Sequence, residues 1–79
     1  MDFTDYLYFG LRDGRCVASG WKQSGTGADR FNAKMVSGWI KRGLDVVTLH
    51  RDDPAAKVHF DQMWDDANAA VVAARAGDA

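Results

Sequence analysis

A chain of 79 residues with ten Lys/Arg, eleven Asp, no glutamate and a formal charge of −1 has room for one hydrophobic core, and at this length it buries only somewhat more than ~60% of its unfolded surface. With 47% apolar residues, one proline and no low-complexity run, it lies outside the disordered class. Its one cysteine, Cys16, and two histidines, His50 and His59, complete neither a disulfide framework nor a zinc-ligand spacing, so the fold is expected to rest on apolar packing with no cofactor.

No window approaches the roughly 18 continuous apolar residues of a membrane span, and the opening MDFTDYLYF lacks the basic start and small-residue cleavage site of a secretion signal. The expectation is a cytoplasmic protein without membrane contact, and a lone thiol agrees with it. Charge is segregated along the chain: residues 1–51 carry eight Lys/Arg against five Asp, whereas residues 52–79 carry two against six. Such asymmetry bears on partner choice rather than on fold.

Residues 6–12 and 15–21 are rich in aromatic and apolar side chains and flank Asp13-Gly14, a dipeptide suited to the positive φ angles of a two-residue hairpin turn. Strict alternation from that turn pairs Arg12 with Arg15, Leu11 with Cys16, Gly10 with Val17 and Tyr6 with Trp21. It puts Leu7, Phe9, Leu11, Cys16, Ala18 and Gly20 on one face and Tyr6, Tyr8, Val17, Ser19 and Trp21 on the other. The polar run 22–27 reads as a loop. A helix then begins near Thr26 to Asp29, each able to cap it, and carries the stripe Phe31, Met35, Val36, Trp39 and Ile40. Lys41 and Arg42 suit its C-terminal dipole, and Gly43-Leu44 matches a left-handed cap with an apolar contact back onto the helix.

A short β-branched strand follows over 45–51. Asp53-Pro54 supplies an N-cap and a proline at the first helical position, opening a second helix with the stripe Phe60, Met63, Trp64, Ala67, Val71 and Ala74, ending before Gly77. The order ββαβα predicts one α+β domain over 1–79 with a three-stranded antiparallel sheet of order 2-1-3 and both helices packed on one face.

Catalytic and metal constellations are sparse. Cys16 with His50 or His59 and an aspartate is the one nucleophile set available, but Cys16 falls on the core face where a small apolar residue is wanted. His59 with Asp61 and Asp65, or His50 with Asp52 and Asp53, lacks the ligand count of a metal site. Ser24-Gly25-Thr26-Gly27 lacks the Gly-Lys-Ser/Thr ending of a phosphate loop. With both helices on the Leu7/Phe9 face, Tyr6, Tyr8, Val17 and Trp21 form an open aromatic face flanked by Arg12 and Arg15, the residue types enriched at binding hot spots. Asp61, Asp65 and Asp66 form a second, acidic surface on the last helix.

In its size, its lone α+β domain and the segregation of Arg12/Arg15 from Asp61/Asp65/Asp66, the chain resembles the small accessory proteins of phages and mobile elements, the class that includes anti-CRISPR inhibitors. The resemblance covers the whole chain without a shared motif, and the near-neutral charge departs from the strongly acidic DNA mimics in that class. It implies a protein that blocks a larger nucleic-acid-handling complex by occupying its surface; the chain itself is expected as a monomer or homodimer. The sequence-level expectation is thus a non-enzymatic protein-interaction domain with a protein partner. The alternative is a small nucleic-acid-binding regulator using the Arg/aromatic sheet face, and, more remotely, a cysteine- or metal-dependent enzyme.

Overall fold

A computed structural model describes residues 1–77, so the last two positions of the expected 1–79 domain lie outside the described residues. The elements are β1 (Asp2–Arg12), β2 (Arg15–Ser24), α1 (Ala28–Lys41), β3 (Asp45–His50) and α2 (Pro54–Gly77). They follow the expected ββαβα order, and the strands form one antiparallel sheet, β2-β1-β3.

Local chemistry fixes the joints. Asp13 and Gly14 both take positive φ, 53° and 80°, as a two-residue hairpin turn demands. At the end of α1, Gly43 N–H donates to Ile40 C=O at 2.9 Å and Leu44 N–H to Trp39 C=O at 3.1 Å, the two bonds of a Schellman cap around a left-handed glycine. Asp53 caps α2, its Oδ1 accepting from Ala55 N–H at 2.9 Å, with Pro54 in the first helical position where no N–H is missed. The start of α1 differs from expectation: its N-cap is Gly27 in the left-handed region, with no side-chain cap.

Both strands of the hairpin run further than the hydrophobic runs suggested. β1 begins at Asp2 and β2 continues through Ser24, into the stretch read as loop. The Thr4 hydroxyl makes this possible by bridging an irregularity in β1, donating to Lys22 C=O at 2.8 Å and accepting from Tyr6 N–H at 3.1 Å.

Besides the irregularity at Thr4, the register departs from strict alternation next to the turn. Leu11 pairs with Cys16, but Gly10 pairs with Ala18, Tyr8 with Gly20 and Leu7 with Trp21. Val17 is the extra residue of a β-bulge, and the partners from Ala18 to Trp21 are shifted by one, which exchanges the faces of β2. Cys16 stays on the Leu7/Phe9 side, whereas Ala18 and Gly20 join Tyr8 and Gly10 on the other.

The two helices consequently sit on opposite faces, not on one. Space at Gly10 is bounded by Leu44, Ala18 and Trp39, and at Gly20 by Met35 and Trp39. Gly10, Ala18 and Gly20 thus form a trough that receives α1. On the reverse face, Phe9 packs against His59 and Phe60 of α2, with ring centroids 5.1 and 5.2 Å apart. The core there is Leu7, Phe9, Cys16 and Ala56, extended by Leu11, Val47, Leu49 and Met63. Side-chain size explains the arrangement. The small residues on one face let α1 approach closely, while Leu7, Phe9 and Cys16 on the other are apolar surface that α2 removes from water.

The outer edge of β2 is closed by side chains. Asn32 of α1, only 6% exposed, accepts from Gln23 N–H and donates to Gln23 C=O, each at 2.9 Å. At the other end Gln62 of α2 accepts from Cys16 N–H at 3.1 Å. Each helix thereby satisfies edge groups that an incoming strand would need.

Candidate functional site

Tyr6, Tyr8, Val17 and Trp21 do not share a surface. Tyr8 faces α1 and lines, with Lys22, Asp29, Asn32, Ala33 and Val36, a shallow depression of ≈ 410 Å³. Trp21 stands opposite Leu7 on the α2 face and meets Phe3 edge-on at 6.1 Å. Tyr6 sets its ring edge-on against His50 of β3 at 5.3 Å, and Val17 projects from the bulge. The expected open aromatic sheet face depended on both helices lying together, and it is not assembled.

The two arginines at the hairpin turn are likewise divided. Arg12 and Arg15 are cross-strand neighbours, where like charges repel. They turn to different helices. Arg12 donates to the Arg42 carbonyl at the C-terminal end of α1, at 3.4 Å. Arg15 forms a two-pronged pair with Asp66 of α2, with Nε 2.9 Å from Oδ2 and a terminal nitrogen 2.6 Å from Oδ1. This bond and its charge hold the Asp66 carboxyl below the ordinary 3.8 and push Arg15 up.

Cys16 lies in the core as its position on the strand suggested, fully buried. Its Sγ donates to Ala18 C=O at 3.4 Å, and burial pushes the thiol up, away from the thiolate character that a nucleophile requires. Nδ1 of His59 is enclosed without a hydrogen-bond partner, since the ring packs on Phe9. Among the described residues no group of three His, Cys or Asp side chains is placed to hold a metal ion.

Large apolar side chains are exposed on several elements, among them Phe3 of β1 (73%) and Ile40 of α1 (58%), and they are most numerous on α2. Ala56, His59 and Met63, spaced i, i+3, i+7, form its inner side, and Gln62 and Asp66 bind β2. Residues 64–77 are exposed throughout, so the last half of this 24-residue helix extends past the sheet and lengthens the molecule to 50 Å. Asp61, Trp64, Asp65, Asn68, Val71 and Val72 recur at three- and four-residue intervals and share its outer face. Trp64 is 69% exposed and Val72 66%. Lys57 Nζ reaches Asp61 at 2.9 Å one turn earlier, which pushes the Lys57 ammonium up.

Trp64 was expected inside the stripe of α2 and instead stands in solvent. The residues that meet the sheet include His59, Gln62 and Asp66, and Trp64 lies about 140° round the helix from His59 and about 160° from Gln62 and Asp66. Of the acidic surface, Asp66 faces Arg15 while Asp61 and Asp65 remain together on the outer face.

No protein-family model, no curated protein and no solved structure matches this chain. Among the described residues no helix is long and apolar enough to cross a membrane.

Proposed function

We propose that this chain is a non-enzymatic interaction domain that occupies the surface of a larger protein complex, in the manner of the small phage-borne inhibitors it resembles. The observation that supports the reading is the outer face of α2. It carries a tryptophan and two valines in solvent beside the carboxylates of Asp61 and Asp65. A large exposed aromatic at the centre of a patch is the residue type that anchors interfaces, and apolar side chains on a helix face turned away from its own domain mark a contact site.

The carboxylates point to the partner's chemistry. A surface that accepts Trp64 between Asp61 and Asp65 is an apolar socket with a basic rim, as complexes that handle nucleic acid present. The helix and not the sheet is the working surface, and the Arg/aromatic sheet face has no role in it.

The test is affinity capture from a lysate of the native host with the tagged chain, followed by mass spectrometry, run beside a Trp64→Ala variant and an Asp61→Lys/Asp65→Lys variant. A protein captured by the wild type and lost from the Trp64→Ala sample, with the folded spectrum unchanged, supports the reading. Capture that survives both variants assigns the function to another surface.

A further inference from the structure

The two edges of the sheet are treated differently. β2 is closed at Cys16 by Gln62 and at Gln23 by Asn32. Among the described residues no side chain bonds to the outward backbone groups of β3 along its middle. Arg51 N–H donates to Asp5 C=O at 2.8 Å, which fixes the phase of the β1–β3 ladder. Leu49, Val47 and Asp45 then turn their backbone groups toward β1, and Val46, Thr48 and His50 turn theirs outward. The His50 carbonyl accepts from Asp53 N–H, while those of Val46 and Thr48 face the open side of the strand.

We infer that this edge pairs with the β3 of a second copy, antiparallel about a twofold axis at Thr48, joining two three-stranded sheets into one of six strands. The register follows from the outward groups: Thr48 meets Thr48 of the copy, and Val46 meets His50. On the α2 face the same register sets Val47 opposite Leu49 and Asp45 opposite Arg51, each twice by symmetry. Asp45 is exposed, and the Arg51 guanidinium, 56% exposed, has loose contacts to Asp5 at 3.8 Å and to Asp52 at 4.0 Å. Opposite charges and apolar pairs both fall in register, which is the condition for stable cross-strand pairing. A slip of two residues, the smallest that keeps the outward backbone groups paired, loses it, because Asp45 then meets Leu49 in one direction and Asp53 in the other.

The neighbourhood supports a second copy over an unrelated strand. Val47 and Leu49 are only half-buried and gain cover from each other across the axis. Phe60, 41% exposed, precedes Gln62 by two residues and so lies about 160° round the helix from the flank that binds β2. It therefore overhangs the β3 side and adds apolar surface to the same junction. A self-complementary patch of this kind is what a twofold contact requires. The inference is independent of the outer face of α2, which stays free.

Sedimentation equilibrium of the purified chain over a concentration series tests the pairing without any partner. A monomer–dimer equilibrium is expected. Thr48→Pro removes an outward N–H without touching the β1 ladder, a position at which an edge strand accepts proline, and should leave a monomer. Should that variant not fold, charge exchange decides the matter. Asp45→Arg or Arg51→Asp alone places like charges opposite each other twice and should weaken the dimer about tenfold or more, while the double exchange Asp45→Arg/Arg51→Asp should restore it. Trp64→Ala should leave the dimer unchanged. A wild-type chain that sediments as a monomer throughout overturns the inference. So does a dimer that ignores the charge exchange or depends on Trp64.

Discussion

The carboxamide of Asn32 lies against the peptide backbone of Gln23 and makes both hydrogen bonds that a neighbouring strand would make there, each at 2.9 Å. A helix side chain thereby ends the sheet at β2. Replacing Asn32 with Leu leaves the Gln23 N–H and C=O facing an apolar group, and should cost about 1–3 kcal/mol in urea unfolding. Asn32→Asp should fail differently. The carboxylate still accepts from Gln23 N–H but repels Gln23 C=O, so this variant should gain stability as pH falls and the acid becomes a donor. An Asn32→Asp protein with no pH dependence beyond that of the wild type contradicts the two-bond geometry.

The trough beneath α1 admits no side chains. A Cβ on Gly10 falls 2.9 Å from Cδ1 of the buried Leu44 and 3.3 Å from Cβ of the half-buried Ala18. Gly10→Ala should destabilise by about 1–3 kcal/mol, as overpacking does. At Gly20 the obstacle is the flexible Met35 side chain. Gly20→Ala should therefore be partly relieved by Met35→Ala in a double-mutant cycle. Additive losses would mean that Met35 does not occupy the trough.

Between Asp13 and Gly14 the prediction concerns backbone alone. Gly14 has φ of +80° and open space around its Cα, so Gly14→Val should destabilise by strain, whereas Gly14→Asn, which tolerates that region, should be nearly neutral. Thermal melts of the two variants distinguish strain from loss of contact, because neither removes a packed atom.

Acid sensitivity follows from Asp66. Its folded carboxyl titrates below the ordinary 3.8 because Arg15 bonds to it. A lowered pKa contributes stability that is present above 3.8 and is lost as pH falls through the folded value. Asp66→Asn should therefore have a lower Tm than the wild type at neutral pH, and the two curves should converge below about pH 3.8. Both side chains of the pair are half in solvent, so the difference should be small and should shrink in high salt. Curves that run parallel to low pH would remove the pair from the list of stabilising contacts.

Much of the skeleton was legible in the residues because its joints are local. Asp13-Gly14 makes its turn from two φ angles, Gly43-Leu44 closes α1 with bonds that span five residues, and Asp53-Pro54 opens α2 within one turn. None of these requires knowledge of distant parts of the chain. From them the order ββαβα follows, and with it the central position of β1, the most apolar strand.

What surrounds the sheet was decided only by tertiary structure. One unpaired residue, Val17, reverses the parity of β2, so alternation counted from the turn assigns Ala18, Gly20 and Trp21 to the wrong faces. Nothing in the residue types on either side announces a bulge. The division of α1 and α2 between two faces follows from that bulge, which gathers Gly10, Ala18 and Gly20 into a trough for α1 and leaves Leu7, Phe9 and Cys16 for α2 to cover, a property of the assembled sheet and of no segment within it. The same division breaks up Tyr6, Tyr8 and Trp21 as a surface, sends Arg12 and Arg15 to separate helices, buries Asn32 at an edge and leaves Trp64 outside. A pattern of apolar residues states how much surface must be covered, whereas which surface meets which depends on shapes formed only when the strands and helices pack together.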